Sequence, residues 1–166
     1  MKSNNLKLCC LSGIFTALVY VVTAYLHIPT YNGYIHIGDG LIYLAACILP
    51  TPYAVFVGAM GAMLADILCG FALWAPGSVV IKAAAAIFFT SKSKKIITKR
   101  SLMAILPASV ICIVGYYLYE VLIYGSSIAA LYGMIGSAIQ SAASAILFVV
   151  LGLAMDKLNV KSRLSL

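Results

Sequence analysis

Charge is what this chain has least of. Only four of its 166 residues are acidic and the charged share is 9%, too little polar surface to clothe a water-soluble domain of this length. The five cysteines (Cys9, Cys10, Cys47, Cys69, Cys112) follow neither metal-ligand spacing nor a disulfide framework. No metal or cofactor is expected, and the thiols read as small apolar helix residues. A G-x-x-x-x-G-K-[ST] phosphate loop is missing, so any ATP work must come from another chain. No nucleophile–base arrangement is visible, and the only histidines, His27 and His36, share one loop, which argues against an enzyme. Linkers and polar modules are also missing, so residues 1–166 are expected to form a single membrane domain.

What is there is apolar. Hydrophobic residues make up 64% of the chain and the mean hydropathy is +1.08. Apolar segments run over about 8–26, 37–50, 53–73, 76–91, 101–125 and 128–155. The first, third, fifth and sixth reach the roughly 20 residues that a hydrocarbon core demands. The second and fourth are short, and fit either short spans or re-entrant segments. Prolines at Pro50, Pro52 and Pro76 mark their boundaries. The basic start and first apolar stretch resemble a signal peptide, but the stretch runs on to Leu26 and meets His27-Ile28-Pro29 in place of a cleavage site, so it reads as a first membrane helix.

The net charge of +7 is concentrated in three places: Lys2 and Lys7, then Lys92 to Arg100, then Lys157, Lys161 and Arg163. Such clusters mark cytoplasmic ends of membrane helices. Six spans with both termini cytoplasmic put every basic residue except Lys82 on that side. No aromatics interleave with Lys92–Arg100 as a nucleic-acid platform would favour, so nucleic acid is not an expected partner. Lipid is. Small residues recur at helical spacing at Ala54, Gly58 and Ala62, and again at Ala129, Gly133, Ser137, Ser141 and Ala145. Both stripes are expected to serve close helix packing.

Ionisable groups at membrane depth need a partner, a wet cavity or a task. Asp39, Asp66, Lys82 and Glu120 are such groups, and six spans place all four in the outer third, with Lys82 roughly 9 Å in. An outward-facing pocket gathers polar groups at one level, whereas an ion path spreads them. Tyr31, Tyr34, His36, Trp74, Tyr116, Tyr117 and Tyr124 lie near the same level, and Gln140 sits deeper. Apolar and aromatic walls with a few placed polar groups characterise ligand sites. Competing structural readings stand beside each residue. Lys82 pairs with Glu120, snorkels outward or contacts ligand; Asp39 after Gly38 is a helix N-cap or a contact; Asp66 satisfies backbone or Lys82, or serves the ligand; the aromatics are walls or an interfacial belt; Gln140 reaches ligand or a neighbouring helix.

The stretch Gly33-Tyr34-Ile35-His36-Ile37-Gly38-Asp39-Gly40, then Gly61-Ala62-Met63-Leu64-Ala65-Asp66, Trp74-Ala75-Pro76 and Ile81-Lys82, resembles the substrate-binding S components of energy-coupling-factor vitamin transporters. More narrowly it looks like their hydroxymethylpyrimidine and pyridoxine group. The resemblance implies an all-α protein of six membrane helices in the bacterial plasma membrane. It also implies a vitamin site under the first outer loop, a transmembrane coupling subunit and two cytoplasmic ATPases. The family's small-residue docking motif on helix one matches Gly13-Ile14-Phe15-Thr16-Ala17, with Gly13 in place of the usual alanine. Carried over, Lys82, Glu120 and Asp66 become polar contacts or their organisers; Trp74, Tyr116 and Tyr117 wall the ring; Tyr34 and His36 belong to the gating loop. The rival reading is a self-sufficient secondary transporter driven by an ion gradient.

Overall fold

The computed structural model describes residues 2–30 and 33–164. A 24-residue helix α1 (Lys2–Tyr25) leads into a two-stranded antiparallel hairpin, β1 (His27–Thr30) and β2 (Gly33–His36). Then come α2 (Asp39–Ile48), α3 (Thr51–Leu68), α4 (Ala75–Ile87), α5 (Lys99–Tyr124), α6 (Ser127–Lys157) and the short α7 (Val160–Leu164). Four helical stretches are long and apolar enough to cross a membrane: Asn4–Tyr25, Thr51–Leu68, Lys99–Tyr124 and Ser127–Lys157. Helices α2 and α4 are the shorter apolar ones; at 1.5 Å per residue they extend only about 15 and 20 Å. Many large apolar side chains face outward, among them Leu122 at 78% exposure and Leu106 at 72%. That is the surface lipid requires and water penalises.

Every residue of α2 is buried. This helix packs against α1, α3, α4 and α6, while α3 also packs on α1 and α4, and α5 on α4 and α6. Close approach depends on glycine at the crossings. A Cβ on Gly40 would come within 2.6 Å of the Ser144 carbonyl on α6, and one on Gly61 within 2.7 Å of Val19 on α1. With no hydrophobic drive between helices in lipid, such contacts carry the association. The Ala54, Gly58, Ala62 stripe is buried as expected.

Local signals set the ends of the long helices. Thr98 and Ser101 form a reciprocal capping box at the start of α5. Gly125, at φ 63°, ends α5 in the left-handed conformation. The Ser126 hydroxyl then accepts the Ala129 N–H to start α6. The two-residue connection folds α5 and α6 into an antiparallel pair. Away from the hairpin, the Asp156 carboxylate accepts the Ile96 and Ile97 N–H groups at 2.8 and 2.9 Å. Lys161 of α7 donates to the Cys47 and Ser91 carbonyls at 2.6 and 2.7 Å. The fourth acidic residue therefore has a structural task outside the apolar segments.

The hairpin was not foreseen. His27-Ile28-Pro29-Thr30 and Gly33-Tyr34-Ile35-His36 are too short to show a period of two, and read as a loop. In the structure His27 pairs with His36 and Ile28 with Ile35. Tyr31 lies outside the described residues.

Candidate functional site

Under the hairpin is a cavity of about 910 Å³. The hairpin contributes Thr30 and Gly33 to His36, α3 contributes Asp66, and the start of α4 contributes Trp74 and Ser78. Tyr116 and Glu120 come from α5, and one face of α6 from Ile128 to Gln140 closes the other side. Ile35 of the hairpin leans over Gly136, 3.5 Å from where a Cβ would stand.

Each wall is built from specific pairings. The Tyr34 ring packs on Phe71 with centroids 4.8 Å apart, and its hydroxyl donates to Asp66 Oδ1 at 2.5 Å. Burial and the neighbouring carboxylate push the Tyr34 phenol above its usual range, so it remains a donor. Trp74 meets Tyr116, Tyr119 and Tyr124 at centroid distances of 6.1 to 6.3 Å. The Tyr119 hydroxyl donates to the Leu73 carbonyl at 2.8 Å, fixing that corner. Ser78 Oγ and the Tyr116 hydroxyl are hydrogen-bonded at 2.9 Å. Glu120 is 5% exposed, and its Oε2 has no hydrogen-bond partner among the described residues.

The second stripe of small residues is divided between packing and the cavity wall. Ala129, Gly133 and Ser137 line the cavity, Gly133 lying directly against the Glu120 side chain of α5, whereas Ser141, one turn further on, is buried in packing. Small side chains here make room. A Cβ on Gly133 would run into the Glu120 carboxylate.

Two candidate ligand contacts lie behind the cavity. Lys82 Nζ donates to Asp39 Oδ2 at 2.8 Å, both side chains being 1% exposed. The ammonium stands 4.8 Å from the Tyr116 ring centroid, and neither Lys82 nor Asp39 is among the residues that line the cavity. Lys82 is paired with Asp39 and not with Glu120, the partner that one structural reading gave it. Nor is Asp39 an N-cap. Gly38 occupies that position without a side-chain cap, and Asp39 is the first residue of α2. Gln140 joins the pair to the hairpin: its Nε2 donates to Asp39 Oδ2 at 3.1 Å, and its Oε1 accepts the His36 N–H at 3.3 Å. Gln140 thus takes the reading of a bridge between elements, and it also lines the cavity. Tyr117 is half-buried and does not line the cavity. Ser78 and Tyr132 line it and were missed; Ser78 precedes Lys82 by one helical turn, a spacing that could have found it.

His36 makes the hairpin acid-sensitive. Its Nδ1 accepts the Gly38 N–H at 3.1 Å, and the residue is 7% exposed. Burial, aided by Lys82 and His27 and opposed by Asp39, lowers its pKa from 6.5 to about 4. The folded state therefore binds this proton less readily than the unfolded chain. Its contribution is complete above pH 6.5 and is lost as pH falls towards 4. The chain has one tryptophan, and Gly33 at the hairpin tip faces its ring. Trp74 emission should shift to the red between pH 6.5 and 4, and His36→Gln should flatten that shift. An emission maximum constant over this range would contradict the account.

A family model described as ECF-type riboflavin transporter, S component, matches residues 3–157. No curated relative matches the chain. Gly13 and Ala17, the small pair on α1, are exposed on the outside of the bundle, and a Cβ on Gly13 would meet nothing within 4 Å. With apolar helices facing lipid, a cavity beneath a hairpin and a match over nearly its whole length, the chain belongs to the family of ECF-type riboflavin transporter S components, multi-pass membrane proteins that bind substrate.

Proposed function

We propose that this protein captures a flat heterocyclic vitamin from outside the cell and presents it to an energy-coupling module for ATP-driven uptake. The observation that carries the reading is the cavity under the hairpin, walled by Trp74, Tyr34 and Tyr116 and edged by Asp66, Glu120 and Gln140. Aromatic faces suit a planar ring, and the polar edge supplies acceptors that fix its orientation. In this reading both termini and the Lys92–Arg100 loop are cytoplasmic and the hairpin is outside, an orientation that the basic clusters favour, with α2 and α4 as the remaining two of six spans. The exposed Gly13–Ala17 face of α1 is the docking surface for the transmembrane coupling subunit, which carries the two ATPases.

Hydroxymethylpyrimidine, pyridoxine and riboflavin all fall within this chemistry. A volume of about 910 Å³ far exceeds the need of one six-membered ring and favours a three-ring ligand with a polar tail. Riboflavin, the substrate in the family's description, fits that demand. The test is direct. Protein purified in mild detergent is denatured, and the released small molecule is identified by mass spectrometry. In parallel, quenching of Trp74 is titrated with riboflavin, pyridoxine and hydroxymethylpyrimidine. Saturable quenching by riboflavin is expected. A chain that binds none of the three, or that drives uptake alone in vesicles under an ion gradient, would sink the reading.

A further inference from the structure

At the end of α1 remote from the hairpin, a second cavity of about 330 Å³ lies between α1 and α7. Lys7, Cys10 and Leu11 line it from α1, and Arg163 and Leu164 from α7. Its walls are held in place. Leu11 and Leu164 are half-buried and pack on the core. Lys161 ties α7 down through the Cys47 and Ser91 carbonyls at 2.6 and 2.7 Å. Lys7 and Arg163, by contrast, are exposed, and the protein offers neither a carboxylate. Asp39 is paired with Lys82, Asp66 and Glu120 line the cavity under the hairpin, and Asp156 turns both oxygens to the Ile96 and Ile97 N–H groups. Lys82–Asp39 is the only ion pair among the described residues.

Depth and polarity indicate what meets these cations. The apolar span of α1 begins at Asn4, so Lys7 lies about 5 Å along it at 1.5 Å per residue, where a lysine reaches the lipid headgroups. Further along the same side of the helix, Cys10, Ile14, Leu18 and Val21 are exposed. Two cations followed by an apolar strip match a phospholipid, with phosphate at the interface and acyl chain towards the midplane. We propose that Lys7 and Arg163 hold the phosphate of an anionic phospholipid whose acyl chain lies along Cys10, Ile14 and Leu18. The guanidinium suits a phosphate because its parallel N–H groups engage two oxygens at once. A zwitterionic lipid is a poorer match, since its own ammonium competes with Lys7 and Arg163. The site is independent of the vitamin reading.

Full-length protein in a non-ionic detergent is titrated with dioleoyl phosphatidylglycerol and with dioleoyl phosphatidylcholine, which share their chains. Bound lipid is counted by native mass spectrometry. The anionic lipid is expected to bind about 25-fold more tightly, about fivefold for each cation. Lys7→Gln/Arg163→Gln should narrow that preference at least about fivefold. Both positions are exposed, so the fold should be unaffected. Lys94→Gln/Lys95→Gln removes the same charge from exposed positions elsewhere and should narrow the preference far less. A parent preference under about tenfold overturns the proposal, as does narrowing of less than about fivefold by the Lys7/Arg163 variant. Equal narrowing by the Lys94/Lys95 variant overturns it too, because diffuse charge acts that way. Displacement of the lipid by inorganic phosphate at matched ionic strength would assign the site to a soluble anion and also defeat it.

Discussion

Replacing Lys82 by methionine is expected to remove most of the folded protein. Methionine keeps the length of the side chain but leaves Asp39, at 0% exposure, without its counter-charge. One Asp39 oxygen already lacks a partner among the described residues, so Gln140 Nε2 at 3.1 Å would be the only donor left to the carboxylate. Stripping one partner from a buried ion pair costs about 3–5 kcal/mol, a large share of the stability of a domain this size. The expected result is a collapse in the yield of monodisperse protein in detergent, with a depressed unfolding temperature for whatever survives. The double variant Lys82→Met/Asp39→Leu separates charge from shape. Once both charges are gone no unpaired ion is buried, and much of the yield should return. If Lys82→Met alone purified and melted like the parent, the ion pair would not be what holds α2 to α4.

How much of this was legible beforehand depends on the range of the signal. Membrane character, the four long helices and the helix boundaries follow from composition and local caps, so they were readable. That Asp66 and Glu120 belong to a cavity was also readable in outline, because a carboxylate at membrane depth needs a reason. Partner choice was not. Lys82 could have faced any of three carboxylates, and the one it meets, Asp39, is 43 residues earlier in the chain. Only the packing of α2 into the centre of the bundle decides it. Gln140 meets Asp39 across 101 residues, again by way of α2. The hairpin escaped because its strands have four residues each and lean on Trp74, Phe71 and Gly136 for their stability, contacts that no local pattern announces. Small residues on α6 carried an ambiguity of their own. The spacing of Ala129, Gly133 and Ser137 is the same whether a second helix or an empty space lies against them.

That ambiguity sets up the sharpest test of the cavity, Gly133→Leu. In the structure the Glu120 carboxylate fills the space that any side chain at position 133 would need. A leucine has to displace Glu120 into the cavity and then fill part of it with its own isobutyl group. The helix itself should tolerate the change, since leucine is a better helix former than glycine by about 0.8 kcal/mol. Stability in detergent should therefore hold or rise. Ligand affinity should fall steeply, because overpacking a site costs up to about 3 kcal/mol, on the order of 100-fold in binding. Gly133→Ala, which pushes Glu120 aside without occupying the ring space, should fall between the parent and leucine. The graded series matters more than either variant alone. Affinity lost in step with side-chain volume, at constant unfolding temperature, is what a ligand lying against α6 produces; parent-like binding by the leucine variant would mean that the ligand lies elsewhere.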